Sequence, residues 1–359
     1  LIEEGILVIN ENIVQKILID KYINARYHQY FAPEIKPFIN DQLIKEYRNN
    51  IKNDKDHTND WIDELFEELP NDFYQKRKIG ENDTYICQLI QKDSVEEFIA
   101  YVNKTNCSLE SIINTSVYET NLFLIRNNFE NAKKDSYHLS KNEYKKEVKI
   151  SLIEYAAFFG AIQIFNYLKF NNVNLPSSLW SYVVHSDCPE LIHILEENIS
   201  NIETIQKYDY FVYCHEVFDK KQAYETIFNE SIKCHHFDIS NYIKNNFFDN
   251  IKKQINKSIS KILKNYNFYF IPKDLKINNS VFYYFSKYDY YYFVENQLKI
   301  GDININDKIE FTDEEITPLC ISIEKENIEI AKLFIQNNKI DINMQSQIKI
   351  NDRNEKKIE

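Results

Sequence analysis

The chain has 359 residues, of which 43% are hydrophobic and 14% aromatic, and this composition excludes a largely disordered protein. Its formal net charge of −12 excludes a surface that neutralises phosphate groups over the whole molecule, so nucleic-acid binding would need a local basic patch. No long apolar run occurs, and the first residues carry acids where a secretory signal needs bases, so we expect neither a membrane span nor a signal peptide.

The N-terminal part of the chain is predicted to be helical. Residues 1–80 show no repeated pattern, and the polar stretch at 49–60 is predicted to be an exposed loop. At 83–104 the sequence DTYICQLIQKDSVEEFIAYVNK has two apolar-periodic stretches separated by Asp93 and Ser94, either of which can cap a helix. This segment therefore predicts a pair of short helices.

A related pattern recurs further along the chain. Each copy begins with Ser or Thr, has apolar residues at helical spacing, and breaks before a second periodic stretch. The copies start at Ser151, Ser178, Thr226, Ser280 and Thr317. The hydroxyl at the first position can accept a hydrogen bond from a free backbone N–H of the first helical turn, and Pro318 stands where a first helical residue is expected. Each copy predicts a first helix, a tight turn and a second helix.

Small residues concentrate in the first of these copies. Ala156, Ala157, Gly160 and Ala161 lie close together, although the chain has only nine alanines and four glycines. We interpret them as contacts between the helices of a pair and its neighbour, with Gly160 in a left-handed turn. In place of Ala156 the later copies have Val183, Ser231, Phe285 and Ser322. In place of Gly160 they have Asp187, His235, Asp289 and Glu326, of which Glu326 is the least suited to a positive φ.

The intervals between the copies are uneven, which predicts insertions near 199–223 and 247–277. Asparagine pairs follow several second helices, and Asn is expected to take over the left-handed role of Gly there. These pairs are Asn171–Asn172, Asn245–Asn246 and Asn337–Asn338. The stretch at 344–359 is predicted to be a polar tail or the truncated start of a further repeat, and the first residue, Leu1, leaves open a missing N-terminal segment.

Two copies carry a resemblance to a known family. TPLCISIEKENIEIAKLFIQNNKIDIN at 317–343 resembles an ankyrin repeat through Thr317, Pro318 and Leu319, and SLIEYAAFFGAIQIFNYLKFNNV at 151–173 resembles it through its Ala-Ala-x-x-Gly core. More narrowly, the chain resembles the trichomonad ankyrin-repeat proteins that carry a domain of unknown function. The strings that carry this resemblance lie at 76–106, 119–125, 151–165, 179–198 and 230–243.

The resemblance implies an all-α fold with a helical N-terminal region at 1–80 and a degenerate ankyrin-repeat solenoid at 81–343. In ankyrin proteins, the two residues before the turn glycine form a row on the concave face that commonly contacts partner proteins. Carried to this chain, that row is Phe158 and Phe159, His185 and Ser186, Lys233 and Cys234, Lys287 and Tyr288, Glu324 and Lys325. Packing against an inserted segment is the alternative for Phe158 and Phe159. We expect a non-catalytic scaffold that binds another protein, of unknown identity, without a cofactor.

Two other functions stay open. A weak nucleic-acid binder would use the basic face of KKQINKSISKILKN at 252–265, although a solvated lysine face above a packed stripe (Ile251, Ile255, Ile259, Ile262, Leu263) is the favoured interpretation. A hydrolase would need a site in the inserted loops, because the sequence has no P-loop, dinucleotide-binding or kinase motif.

Metal and aromatic motifs receive structural interpretations. Cys214–His215 and Cys234–His235–His236 supply ligand types but lack Cys-x-x-Cys or His-x-x-x-His spacing, so we predict no metal site. The aromatic stretch at 282–296 is expected to pack in a core through Phe282, Phe285 and Phe293 rather than to stack on bases. Six cysteines in a chain of this length favour a reducing compartment, and we expect a cytoplasmic protein.

Overall fold

The computed structural model describes residues 10–11, 13–14, 29–52, 68–114, 116–127, 150–176, 178–198, 220–273, 275–311, 314–344 and 347–348. The described part is mostly helical, as expected. The chain divides into two compact units, and the described residues of the first lie within 1–175 and those of the second within 176–359. None of the described helices combines the length and the apolar character that crossing a bilayer requires.

The first unit contains short helices, several of which form pairs. In chain order they are α1 (Ala32–Ile35), α2 (Asp41–Lys52), α3 (Phe73–Ile79), α4 (Tyr85–Gln91), α5 (Val95–Thr105), α6 (Leu122–Asn127), α7 (Leu152–Phe159) and α8 (Ile162–Phe170). Helix α4 packs on α5 and α7 on α8, while α4 also contacts α7 and α5 contacts α8. First helices therefore pack on first helices, and second helices on second helices.

The N-terminal helices have a small core of their own. Val14, Ala32, Ile35 and Leu43 form a buried cluster. Arg77 of α3 donates to both carboxylate oxygens of Glu34, at 2.9 Å and 2.5 Å. This bidentate ion pair ties α3 to α1, and its partly buried position makes it stronger than a surface pair.

The second unit contains the remaining helices. They are α9 (Leu179–Ser186), α10 (Pro189–Asn198), α11 (Lys220–Cys234), α12 (Phe237–Phe247), α13 (Ile251–Lys264), α14 (Asn279–Lys287), α15 (Tyr291–Ile300), α16 (Pro318–Glu324) and α17 (Ile328–Ile335). Helix α9 pairs with α10, α11 with α12, α14 with α15 and α16 with α17. Successive contacts run from α9 to α11, to α13, to α14 and to α16, so the first helices form a continuous series.

The turns between paired helices follow the prediction. We call the residue with positive φ at the end of each first helix the turn residue. The described turn residues are Asp93, Gly160, Asp187, His235, Tyr266, Asp289 and Glu326, with φ between 50° and 66°. At Asp93, Gly160, His235, Tyr266 and Glu326 the turn residue N–H bonds to the carbonyl three residues back, and the next N–H to the carbonyl five back. This pair of bonds is the Schellman motif, which satisfies carbonyls that the helix end leaves free.

Several predicted helix ends are wrong. Ser151 and Thr317 cap α7 and α16 through their hydroxyls, and Ser151 completes a capping box with Glu154. Thr226, however, lies inside α11, and Ser280 lies inside α14, which Asn278 caps instead. Helix α14 begins one residue before Ser280 because the Asn278 side chain accepts from the Val281 N–H and caps the helix there. Ser178 precedes α9 without a side-chain cap bond.

The ends of the second helices also differ from the prediction in part. Of the three asparagine pairs, only Asn172 has a positive φ. Asn246 lies inside α12, whose C-cap, Phe248, is extended. Gly301 ends α15 in the left-handed conformation, as its missing Cβ allows.

The stretch predicted as an insertion at 247–277 contains a further copy of the repeat. Helix α13 lies between α11 and α14 in the series of first helices, and it ends at the turn residue Tyr266 with both Schellman bonds. A single 3₁₀ turn, Phe268–Phe270, takes the place of its second helix. The other predicted insertion is at 199–223. Residues 199–219 lie outside the described residues, and residues 220–223 begin α11.

A series of side-chain bonds connects the helix pairs of the second unit, which we call the carbonyl ladder. In each bond, the donor is the side chain of the residue that follows a turn residue. The acceptor is a backbone carbonyl of the preceding first helix, three residues before the turn residue of that helix. The bonds are His236 to Val184 (2.7 Å), Asn267 to Ile232 (2.8 Å), Tyr290 to Leu263 (2.9 Å) and Asn327 to Ser286 (2.7 Å). Because a carbonyl only accepts, Nδ1 of His236 carries the hydrogen.

A small sheet was not expected from the sequence. Strands β1 (Ile309–Phe311) and β2 (Glu314–Ile316) are antiparallel and pair Ile309 with Ile316, and β3 (Gln347–Ile348) pairs with β2 on its other side. The alternation of apolar and polar residues from Lys308 to Phe311 suits a strand better than a helix. Residues 347–348, which were assigned to a polar tail, thus contribute to this sheet, and the rest of 349–359 lies outside the described residues.

Candidate recognition surface at the ends of the first helices

The predicted binding row lies at the C-terminal ends of the first helices, since its members are the two residues before each turn residue. We call this set the first-helix row. In the second unit these ends belong to helices that contact one another in series, so the carbonyl ladder fixes their register. The row also has members that the sequence prediction missed. They are Gln91 and Lys92 before Asp93, and Lys264 and Asn265 before Tyr266.

In the first unit, the predicted aromatic members are packed. Phe158 is 9% exposed and stacks on Phe123 of α6 with ring centroids 5.9 Å apart. Phe159 is half-buried, with its ring 4.8 Å from that of Tyr155. Phe158 therefore packs against α6, which lies outside the predicted insertions at 199–223 and 247–277. A binding role for either ring stays a prediction.

The next members of the row are joined by a hydrogen-bonded cluster. The His185 side chain, 10% exposed on α9, has Nε2 3.0 Å from Oε1 of Glu230 on α11. Its Nδ1 lies 3.3 Å from Sγ of Cys234, one helical turn after Glu230. Lys233 Nζ donates to the same carboxylate oxygen at 2.6 Å. Ser186 is turned back onto its own helix, where its hydroxyl donates to the Val183 carbonyl.

Burial and charge set the protonation of this cluster. Burial lowers the pKa of His185, although the hydrogen bond to Glu230 opposes this, and the imidazole is neutral at pH 7. Burial raises the pKa of the Cys234 thiol to about 12. Burial alone would raise the pKa of Glu230, but the bonds from His185 and Lys233 outweigh it and lower that pKa to about 2. The thiol therefore donates to Nδ1 and Nε2–H donates to the carboxylate.

The sequence prediction missed this cluster. It considered Cys234 only with its sequence neighbours His235 and His236, whereas the structure brings Cys234 to His185 of the preceding pair. His235 is an exposed turn residue, and His236 belongs to the carbonyl ladder, so both histidines are structural, as expected. The spacing of Glu230 and Cys234 by four residues on one helix was the available signal. Cys214–His215 lies outside the described residues.

Aromatic and charged groups form the row further along the second unit. Lys287 Nζ lies 5.6 Å from the centroid of the Tyr283 ring and 5.9 Å from that of Tyr288, within the range of cation–π attraction. The Tyr288 ring stacks on Tyr284 with an interplanar angle of 8°. Burial raises the pKa of both phenols, so both remain neutral donors at pH 7.

At the last pair, Glu324 and Lys325 are both exposed and form an ion pair of 2.7 Å. An exposed pair of this kind contributes little to stability, so both side chains can exchange it for other partners.

The aromatic prediction for the stretch at 282–296 holds for Phe282 and Phe285, which are buried, but is wrong for Phe293, which is 42% exposed. Tyr290 and Val294 fill the core in its place.

The basic helix at 251–264 has the predicted amphipathic character. Lys252, Lys253, Lys257, Lys261 and Lys264 are exposed, and Ile259, Ile262 and Leu263 are buried. Ile251, assigned to the packed stripe, is instead 38% exposed because it begins the helix beside the cap residue Asn250. Gln254 and Ser258 are buried beside the apolar stripe. Lys257 pairs with Glu225 of α11 at 3.0 Å.

No protein-family model matches this sequence, and a comparison with curated proteins finds no relative. The resemblance to ankyrin-repeat proteins therefore stays a prediction.

Proposed function

We propose that the chain is a non-catalytic scaffold that binds a segment of another protein along the first-helix row of its second unit. The partner segment is proposed to be acidic, and the scaffold is proposed to bind it without a cofactor. The array of helix pairs that presents the row is proposed to be a degenerate ankyrin-type solenoid, and the protein is proposed to act in the cytoplasm.

The observation that carries this proposal is the alignment of cationic side chains. Lys233, Lys264 and Lys287 occupy the same position, two residues before the turn residue, on three first helices that follow one another in contact. The chain as a whole has a net charge of −12, so a basic row is a local exception. The helix dipole also favours lysine near a helix C-terminus, and it explains a lysine in the last turn of one helix. It does not explain why three successive helices have the lysine at the same position.

The neighbouring aromatic groups suit protein recognition. The half-buried rings of Tyr288 and Tyr284 are stacked, with Lys287 over the Tyr288 ring, and tyrosine is one of the residue types that supply much of the affinity in protein interfaces. Electrostatic attraction would orient an acidic segment, and contact with the rings would hold it. The ankyrin-type arrangement is supported by first helices that pack on first helices and by the recurring left-handed turns.

The test compares two double variants of matched chemistry. K287A/Y288A removes a lysine and a tyrosine from the row, and Y292A/K299A removes the same types from the second helix α15, where Tyr292 is 80% exposed. The immobilised variants are incubated with a lysate of the source cell, and retained proteins are quantified by mass spectrometry. We expect K287A/Y288A to retain about tenfold less of its partner. A tenfold loss of affinity corresponds to about 1.4 kcal/mol of lost binding free energy.

Y292A/K299A is expected to behave like the wild type. Circular dichroism and urea unfolding verify that both variants remain folded. Equal retention by all three proteins, or a loss confined to Y292A/K299A, contradicts the proposed surface.

A nucleic-acid function has one observation in its favour, the five exposed lysines of α13. Phosphate neutralisation by such a face would make retention on DNA or RNA fall steeply with salt. Substitution of Lys257 and Lys261 by Gln would then reduce retention, whereas the protein-binding proposal predicts no change in partner capture.

A further inference from the structure

We propose that His185, Glu230 and Cys234 form a zinc-binding site that joins two successive helix pairs. The three side chains offer the ligand types that proteins use for Zn²⁺: an imidazole nitrogen, a carboxylate oxygen and a thiolate sulfur. No residue pattern in the sequence brings them together, because His185 belongs to α9 and the other two belong to α11.

The distances are close to those of a bound ion. His185 Nε2 lies 3.0 Å from Glu230 Oε1 and 3.9 Å from Cys234 Sγ, and one ligand atom of each residue lies within 4.8 Å of the other two. In a tetrahedral zinc site with bonds of about 2.0–2.3 Å, neighbouring ligand atoms are separated by roughly 3.3–3.6 Å.

The surroundings support such a site. The side chains of His185 and Glu230 are 10% and 22% exposed, so they are positioned by packing and still reachable by an ion. Glu230 and Cys234 lie four residues apart on one helix and therefore share a face. Three protein ligands leave one position of the tetrahedron for water or for a donor from a bound protein.

Binding has a defined proton balance. The Cys234 thiol loses its proton to solvent as the Zn–S bond forms, and the imidazole proton moves from Nε2 to Nδ1 so that the Nε2 lone pair can bind the ion. The site then holds Zn²⁺ with one thiolate and one carboxylate, and the complex is neutral. Lys233 Nζ, 2.6 Å from Glu230 Oε1, competes with the ion for that carboxylate and repels its positive charge, so this lysine opposes metal binding.

The experiment uses the full chain, purified under reducing conditions and treated with a chelator. Titration with Co²⁺ reports thiolate ligation through a sulfur-to-cobalt charge-transfer band, and competition with a chelating dye gives the Zn²⁺ affinity. We expect one equivalent of metal, and loss of the band in C234S. H185Q and E230Q should lose affinity by more than the roughly 10- to 100-fold that removal of an outer-shell partner costs.

Two further variants control for indirect effects. Cys320 is also a half-buried free thiol, in α16, and C320S should keep both the band and the affinity. K233M removes the competing ammonium group and should bind Zn²⁺ more tightly than the wild type, a gain that a folding defect cannot produce. Zinc should also raise the unfolding temperature of the wild type but not of C234S, because only the folded chain brings the three ligands together and the ion therefore binds it more tightly than the unfolded chain.

Three results overturn the assignment. They are the absence of a thiolate band from the wild type, a band that survives C234S, and a band that requires Cys214 or Cys320 in place of Cys234.

Discussion

The α7–α8 pair of the first unit and the α14–α15 pair of the second both have a first helix, a left-handed turn and a second helix. Their buried positions are filled by side chains of very different volume. Ala156 and Phe285 occupy the same position of the first helix, and both are 0% exposed. The turn residues Gly160 and Asp289 have φ angles of 66° and 60°. Val183, Ser231 and Ser322, the equivalents in the other copies, are also 0% exposed. Burial at this position is therefore common to the repeats, and side-chain volume is not.

The two pairs also differ in how they bind the preceding neighbour. After Gly160 stands Ala161, which has no side-chain donor, and the carboxylate of Asp93 instead accepts from the Gln163 and Ile164 N–H groups of α8. After Asp289 stands Tyr290, whose hydroxyl reaches the Leu263 carbonyl. The α7–α8 pair is thus joined to its neighbour by a helix cap, and the α14–α15 pair by the carbonyl ladder.

The largest expected effect comes from removing volume in the aromatic pair. Phe285→Ala should lower the free energy of unfolding by about 3–5 kcal/mol, because a fully buried ring leaves a cavity that the stacked helices cannot close. Urea unfolding followed by circular dichroism measures this loss. Phe293→Ala, at an exposed ring of the same pair, is the control and should cost much less. Similar losses for the two variants would show that this position is not the shared core of the repeat.

The carbonyl ladder gives the next largest effect. Asn267→Ala should cost about 1–3 kcal/mol, since Asn267 is 1% exposed and its amide holds the Ile232 carbonyl of the neighbouring pair. Asn265→Ala removes an amide of the same helix end that bonds locally to the Lys261 carbonyl, and it should change stability by less than about 0.5 kcal/mol. If both variants unfold at the same urea concentration, the ladder does not stabilise the contact between pairs.

The smallest effects concern the turn residues. Gly160→Ala should cost about 1 kcal/mol, because the added Cβ is strained at a φ of 66°. Glu326→Gly should stabilise the chain by up to about 1 kcal/mol, since it relieves the same strain at a φ of 58°. Glu324→Gly, two residues earlier and at the last residue of α16, should instead destabilise the chain, by up to about 1 kcal/mol. Thermal unfolding distinguishes the three, and a destabilising Glu326→Gly would contradict this account of the turn.

The sequence predicted the turns better than the helix starts. Asp187, His235, Asp289 and Glu326 were identified as equivalents of Gly160 because a left-handed turn interrupts the apolar period at a fixed distance from the first helix. The starts at Thr226 and Ser280 were misplaced because a hydroxyl residue inside a helix cannot be distinguished from a cap by its residue type alone.

Two features could not be found by pattern. Helix α13 was taken for an insertion because Tyr266 is an unusual turn residue and its second helix is reduced to Phe268–Phe270. The cluster of His185, Glu230 and Cys234 depends on which helices pack together, and no local spacing connects α9 with α11. Of the first-helix row, the sequence predicted the members except those before Asp93 and Tyr266, but it did not predict their surroundings, so that Phe158 was not distinguished from Tyr288.

Site-specific photo-crosslinking tests the central claim most directly, namely that the first-helix row of the second unit, including α13, is one recognition surface. A photoreactive phenylalanine is placed at Lys264, at Tyr288, or at Tyr292 on the second helix α15, and each protein is irradiated in a lysate of the source cell. We predict that positions 264 and 288 capture the same protein and that position 292 does not. Capture of that protein from position 292 with none from 264 or 288 would contradict the account.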